Sequence, residues 1–312
     1  MSFNVEIYKL LNPDLRFNKL NDYAKHYIMI GKKQGRPINI YNVYPYFNIE
    51  QYRTNYSDLH NLSNDDVIKH WLTSGNRQGR VYVELNKVGF INGINMIYWI
   101  NLDRSIDRKA HMQKLLNTLS VPNTRIRASD GKIEKVREYF TNTLDINTNG
   151  EYGCLLSHLR TIKQFWESGL ERCLVLEDDI TLEFMKYWKK DINTVITDAP
   201  SDWEVIGLTQ TLDSSSNIAG DYTPFWDYFF SAQGYIINRN GAQKIMSLYK
   251  LDKWELNKDH HTSEKIIYGN TKMYVYKYPY FTYSLDNTST IHINHSELHR
   301  IAKENSINIW LS

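Results

Sequence analysis

LVLEDDI, residues 174–180, decides the reading of this chain: an apolar run that starts at RCLVL (172–176) ends in three consecutive carboxylates, Glu177, Asp178 and Asp179. A short apolar run bounded by polar residues reads as a buried strand. Three negative charges at the end of such a strand are costly without a cationic partner. Hard divalent cations such as Mg²⁺ or Mn²⁺ take oxygen ligands of this kind and bridge to substrate phosphates. If strand alternation continues, Glu177 and Asp179 project one way and Asp178 the other. The plainer alternative is a solvated acidic turn or a helix start, where carboxylates also suit the dipole. The position directly on a strand end favours the metal reading.

The flanks alternate between strand and helix patterns. Gly150 to Gly169 carries Leu155, Leu156, Leu159, Ile162, Phe165 and Trp166 on one helical stripe. MIYWINL (96–102), residues 124–128, Trp203 to Leu208 and Gly234 to Ile237 read as strands, the last followed by a helix over AQKIMSLY. Lys272 to Tyr276 alternates and reads as an edge strand. Such alternation predicts an α/β fold with a mostly parallel sheet covered on both faces, and ligands beyond the carboxyl ends of its strands. No GxxxxGK[ST], GxGxxG or GxSxG motif occurs, which argues against a P-loop NTPase, a dinucleotide fold and an α/β-hydrolase.

Bulk properties exclude other classes. Lys plus Arg is 37 against 35 for Asp plus Glu, so a nucleic-acid partner held by bulk charge is not expected. Two cysteines, Cys154 and Cys173, make neither a CxxC metal pair nor a disulfide framework. The N-terminus lacks the apolar core and small-residue cleavage site of a secretory signal, and no run of about 18 apolar residues exists. The expectation is a soluble protein of a reducing compartment. The 23 Tyr and 8 Trp are read as core material.

The first part of the chain is a duplication. Shifted by 44, residues 3–36 match 47–80 at 13 of 34 positions, among them Tyr8/Tyr52, His26/His70, Gly31/Gly75 and Arg36/Arg80. Chance gives roughly two. Each unit reads as helices, with Leu20 to Ile30 and Asn64 to Ser74 closed by Gly31 and Gly75 in the manner of C-caps. Residues 1–84 are therefore expected to form a module of two 44-residue helical repeats, either a packing appendage or a docking element, with residues 85–312 forming the α/β domain. His26 and His70 are read as interior or capping histidines.

INLDRSIDR (100–108), GEYGCLLSHLRTIKQFW (150–166), LVLEDDI (174–180) and GYIINRNGAQKI (234–245) follow in that order. Together they closely resemble glycosyltransferase family 25, which includes lipooligosaccharide galactosyltransferases and collagen hydroxylysine glycosyltransferases. The tail, with KMYVYKYPYF and DNTSTIHINH, looks most like members from giant DNA viruses, and implies a cytoplasmic or virion-associated protein. The resemblance implies a GT-A fold, a UDP-sugar donor, usually Mn²⁺, and inversion at the anomeric carbon. It places Asn101, Leu102, Arg104, Arg108, Ser129, Asp130 and Ser157 on the nucleotide side, with His158 either there or packing. Glu177 and Asp179 match the paired acids of the fold: one carboxylate reaches the ribose and Asp179 the metal, with Glu177 and Asp178 beside it. A late histidine often completes the metal shell; His292, after Ser289-Thr290-Ile291, is selected over His295 and His299, with His260 and His261 as competitors. The catalytic base is expected at Glu264, with Asp259 as the alternative. The implied reaction moves glucose or galactose from UDP to an acceptor hydroxyl, on a collagen-type hydroxylysine or a glycan. The rival readings are a metal nuclease or phosphatase, a catalytically silent sugar-binding module and a virion structural protein.

Overall fold

The computed structural model describes residues 3–44, 47–78, 80, 82, 89–211, 220–225, 231–283 and 296–312. The chain divides into two compact units, Met1–Asn86 and Lys87–Ser312.

The first unit holds α1 (Val5–Leu11), α2 (Leu20–His26), α3 (Ile49–Asn55) and α4 (Asn64–His70). The duplication in sequence is a duplication in bonding. Tyr8 Oη lies 3.0 Å from His26 Nδ1, and Tyr52 Oη lies 2.9 Å from His70 Nδ1. Arg36 pairs with Asp14 and Arg80 with Asp58, each at 2.8 Å. Both histidines thus serve the interior of their repeat. Gly31 and Gly75 are not left-handed C-caps: α2 and α4 continue as single π-helical turns, Tyr27–Gly31 and Trp71–Gly75, and the residue after each is still right-handed. The left-handed glycine of the first repeat is Gly35, with φ +63°. Gly31 and Gly75 are required for close approach instead, since a Cβ on either would collide with the hydroxyl of Tyr8 or Tyr52. Gly75→Ala is accordingly expected to destabilise this unit by about 1–3 kcal/mol, the cost of displacing the fully buried Tyr52 ring and its part-buried hydrogen bond to His70. Urea unfolding of the variant with an unchanged midpoint would contradict this.

In the second unit the order is β1 (Met96–Asn101), α5 (Ile106–Leu116), β2 (Asn123–Arg127), α6 (Asn149–Ser168), β3 (Arg172–Glu177), β4 (Ile180–Thr181), α7 (Ile192–Asp198), β5 (Val205–Gly207), β6 (Tyr222–Pro224), β7 (Gly234–Asn238) and α8 (Arg239–Met246). The hairpin β8 (Tyr249–Lys250) and β9 (Lys253–Trp254), α9 (Ser263–Ile267), β10 (Met273–Tyr276), β11 (Thr282–Tyr283) and α10 (Ser296–Leu311) follow. Seven strands form one sheet in the order β2-β1-β3-β7-β5-β10-β6. The pairings make β2, β1, β3, β5 and β10 run one way and β7 and β6 the other. The expected α/β architecture with a mostly parallel sheet is present. β10, read as an edge, is not one: the three-residue β6 lies outside it, too short to register as a periodic pattern.

β3 is central, and Cys173, Leu174, Val175 and Leu176 are fully buried. α6 begins at a capping box, in which the Thr148 hydroxyl and the Glu151 carboxylate each take the other's backbone N–H, and ends at left-handed Gly169. Its apolar stripe, Leu155, Leu156, Leu159, Ile162 and Phe165, packs on the sheet beside Tyr98, Val175 and Tyr235. Gly153 lets α6 approach the 129–131 turn, because a Cβ there would meet Ser129 O at 2.6 Å. That contact carries the polar face of α6 to the end of β3.

Candidate active site

β3 stops at Glu177, so Asp178 and Asp179 lie in a turn and strand alternation does not extend to them. The expected divergence of the two aspartates is replaced by convergence: Arg108 Nη1 is 2.9 Å from Asp178 Oδ1 and 3.6 Å from Asp179 Oδ2. Asn101, at the end of β1, donates to Asp178 Oδ2 at 2.6 Å and to Ser105 O at 3.2 Å, and accepts from Arg125 at 2.8 Å. Asp178 is thus held by two side chains, yet burial first, with the Glu177 charge adding to it, pushes its carboxyl up.

Asp179 is different. Its Oδ1 is buried and accepts no hydrogen bond among the described residues. Burial first, and then the charge of Glu177, push its carboxyl up to about 7 against the pull of Arg108. An orphaned carboxylate oxygen among three acids and one guanidinium fits a hard divalent cation, with Asp179 and Glu177 as oxygen donors. His292, chosen to complete the shell, lies outside the described residues, as does His295.

The state of Asp179 has a pH signature. Its folded-state pKa lies above the usual 3.8, so the folded chain retains a proton that the unfolded chain loses. The penalty is full above about pH 7 and vanishes below about pH 4. In EDTA at pH 8, Asp179→Asn should therefore melt higher than the wild type, and the gain should shrink as pH falls toward 4. A gain that is constant with pH would contradict this.

Glu177 turns toward α6. Its Oε1 is 3.1 Å from His158 Nε2, and His158 Nδ1 is 3.1 Å from the Tyr235 hydroxyl on β7. Cys154, one helical turn before His158, places Sγ 4.0 Å from the same Glu177 oxygen and 3.6 Å from Ser263 Oγ. Glu264, half-buried in the first turn of α9, feels the Glu177 charge; burial first and that charge besides push its carboxyl up. Asp259 is exposed in the bend before α9, and so is His260, whereas His261 is buried with Nδ1 2.8 Å from Tyr152 Oη.

The remaining nucleotide-side candidates form a second cluster. Ser129 N–H donates to Ser157 Oγ at 2.8 Å, Ser157 donates to Gly153 O at 2.6 Å, and Arg160 donates to Ser129 Oγ at 2.6 Å. Arg104 pairs with Asp130. Leu102 is half-buried against the core. The structure thus joins Asn101, Arg108, Asp178 and Asp179 in one network and Glu177 with His158 in another, with Glu264 close to the second. Cys154 and Tyr235 carried no role in the sequence reading. The four-residue spacing of Cys154 and His158 within a helical pattern was the available signal for the first; nothing local signals the second.

Comparison with known proteins adds identity. The profile of Glycosyltransferase family 25 (LPS biosynthesis protein) matches residues 94–262. Procollagen galactosyltransferase 2 of Homo sapiens is 29% identical over 175 residues, which is 49% of this chain and 28% of that protein. Procollagen galactosyltransferase 1 of Danio rerio is 27% identical over 192 residues, 54% of this chain and 30% of that protein. A glycosyltransferase 25 family member of Aedes aegypti is 28% identical over 179 residues, with 52% and 29% covered. The match therefore spans less than a third of each relative. Among the described residues no helix is long and apolar enough to cross a membrane. With more than half of its length matched by that profile, and with the acids, the LSH segment and the 129–130 turn all inside the matched range, the chain belongs to glycosyltransferase family 25.

Proposed function

We propose that this protein is a UDP-sugar-dependent hexosyltransferase that moves glucose or galactose to an acceptor hydroxyl with inversion. A collagen-type hydroxylysine is favoured as acceptor by the procollagen galactosyltransferase relatives, and a glycan is the alternative. The observation that carries this reading is the acidic end of β3, where a buried Asp179 oxygen has no partner among the described residues while Arg108 spans both aspartates. Asp179 and Glu177 would hold Mn²⁺ or Mg²⁺, which when bound neutralises the diphosphate as UDP departs.

The chain's own groups have separate tasks in this scheme. Asn101 and Arg108 fix Asp178 and so set the turn that presents Asp179. Arg104 and Asp130, with Ser129 and Ser157 behind them, form the wall assigned to the nucleotide. Glu264 takes the proton of the acceptor hydroxyl; a general base must sit within hydrogen-bond reach of that proton. The hydroxyl oxygen then attacks the anomeric carbon from the face opposite UDP. Residues 1–84 are assigned to a repeat module and residues 85–312 to the transferase domain. The likeness to giant-virus members rests on the tail motifs alone.

The test is a panel of UDP-sugars with Mn²⁺, read by UDP release with and without a collagen-type peptide. Acceptor-dependent release with UDP-glucose or UDP-galactose supports the reading. Tight UDP binding without release favours a silent sugar-binding module instead.

A further inference from the structure

The second network at the end of β3 has a composition that a hard-cation site does not need. Cys154 and His158 stand four residues apart on α6 and so share one face of the helix. Both reach Glu177: Sγ is 4.0 Å and Nε2 is 3.1 Å from the same Oε1, and the three ligand atoms lie within 4.8 Å of one another. We propose that Cys154, His158 and Glu177 form a binding site for a soft divalent cation of the zinc type, distinct from the oxygen donors at Asp179.

Geometry and chemistry both support this. Tetrahedral zinc, with sulfur at about 2.3 Å and nitrogen or oxygen at about 2.0 Å, requires ligand atoms about 3.3–3.6 Å apart. The two separations to Glu177 bracket that range and each differs from it by about half an ångström or less, and the sulfur and the imidazole nitrogen lie within 4.8 Å of each other. His158 is fully buried and its Nδ1 faces the Tyr235 hydroxyl, the outer partner that fixes a ligating imidazole in its plane, while Nε2 points at Glu177, the carboxylate with which it would share the ion. Thiolate and imidazole select zinc over Mn²⁺ and Mg²⁺. Burial keeps the Cys154 thiol protonated. On binding, the thiol proton leaves to water, and His158 changes tautomer, its single ring proton passing from Nε2, where it faced the Glu177 carboxylate, to Nδ1, which then donates to the Tyr235 hydroxyl oxygen; the sulfur and Nε2 lone pairs go to the ion. Water takes the fourth position. Cys154 is half-buried, whereas Cys173 is fully buried within β3.

Glu177 belongs to both sites. Zinc on the soft side therefore withdraws it from the donor's cation and inhibits transfer; this consequence rests on the function proposed above.

Cobalt(II) is the probe, on the full chain. With only two cysteines in the sequence, a thiolate-to-cobalt charge-transfer band in the near ultraviolet reports one of them. The band is expected in the wild type and in Cys173→Ser, displaced by one equivalent of zinc, and lost in Cys154→Ser. Its absence from the folded wild type, or its survival in Cys154→Ser, overturns the site. In the kinetic arm, with Mn²⁺ in excess, Cys154→Ser should transfer normally and resist zinc at least about tenfold better than the wild type. Equal zinc sensitivity alongside an intact cobalt band overturns the sharing of Glu177, not the site. If no transfer is found at all, the proposed function fails while the band still decides the cation site.

Discussion

Asp179→Ala is expected to abolish Mn²⁺-dependent UDP binding and to lower sugar transfer by at least about 100-fold, the scale for losing a central electrostatic element. The reason is local. Asp178 is occupied by Asn101 and Arg108, and Glu177 by His158, while Asp179 Oδ1 has no partner among the described residues. Removing Asp179 takes away a carboxylate oxygen that is buried and unsatisfied among the described residues there. Titration of UDP in Mn²⁺ against UDP in EDTA separates binding from turnover. Full activity of the variant, or of the wild type in EDTA, would remove the hard cation from the mechanism. Asp178→Ala should instead lower the melting temperature, because it strips the buried Asn101 of its shortest hydrogen bond and leaves Arg108 one carboxylate short.

Glu264→Gln is the second large effect. The substitution keeps shape and hydrogen bonding and removes the proton acceptor, so transfer should fall by roughly 10²–10⁴-fold. UDP and Mn²⁺ affinity should stay within a small factor, since the acids at the end of β3 are untouched. Asp259→Asn should be mild: Asp259 is exposed in a bend, whereas Glu264 lies within the electrostatic reach of Glu177 and Cys154. Single-turnover transfer with both variants decides the assignment. A dead Asp259→Asn beside an active Glu264→Gln would exchange the two roles, and two active variants would place the base elsewhere.

What was readable in the sequence depended on range. The end of β3, α6 and the repeat each announce themselves within a few tens of residues, through an apolar run, a helical stripe with a capping box, and direct identity. Strand direction does not: β7 looks like any short apolar strand, and only its pairing between β3 and β5 makes it antiparallel to both. The meeting of Cys154 and His158 with Glu177 also needs the packing of α6 on the sheet, which Gly153 permits by removing a Cβ from the path of Ser129 O. Gly31 and Gly75 show a subtler failure. A glycine after a helical stretch suggests a left-handed cap, but here it makes room for a tyrosine hydroxyl from an earlier helix, and no neighbour in sequence reveals that tyrosine. The base is the least legible element, because the family match ends at residue 262, two positions before Glu264.

The reversal of β7 has a consequence for how such a site can diversify. Because β7 runs against β3, Gly234 at its start pairs with Leu176 at the end of β3. The chain entering β7 therefore arrives at the same rim as the acids: Gln233 O accepts the Glu177 N–H at 2.8 Å, and Ser231 meets Thr209 at 2.6 Å and Tyr268 at 2.9 Å. In a purely parallel sheet the neighbouring strand would begin at the far edge and border this rim with its outgoing connection instead. With one strand turned around, the entrance is bordered by the outgoing connection of one strand and the incoming connection of the next. A lineage can then rewrite residues 231–233 at this rim while the ladder from Gly234 onward and the carboxylates beside it keep their register.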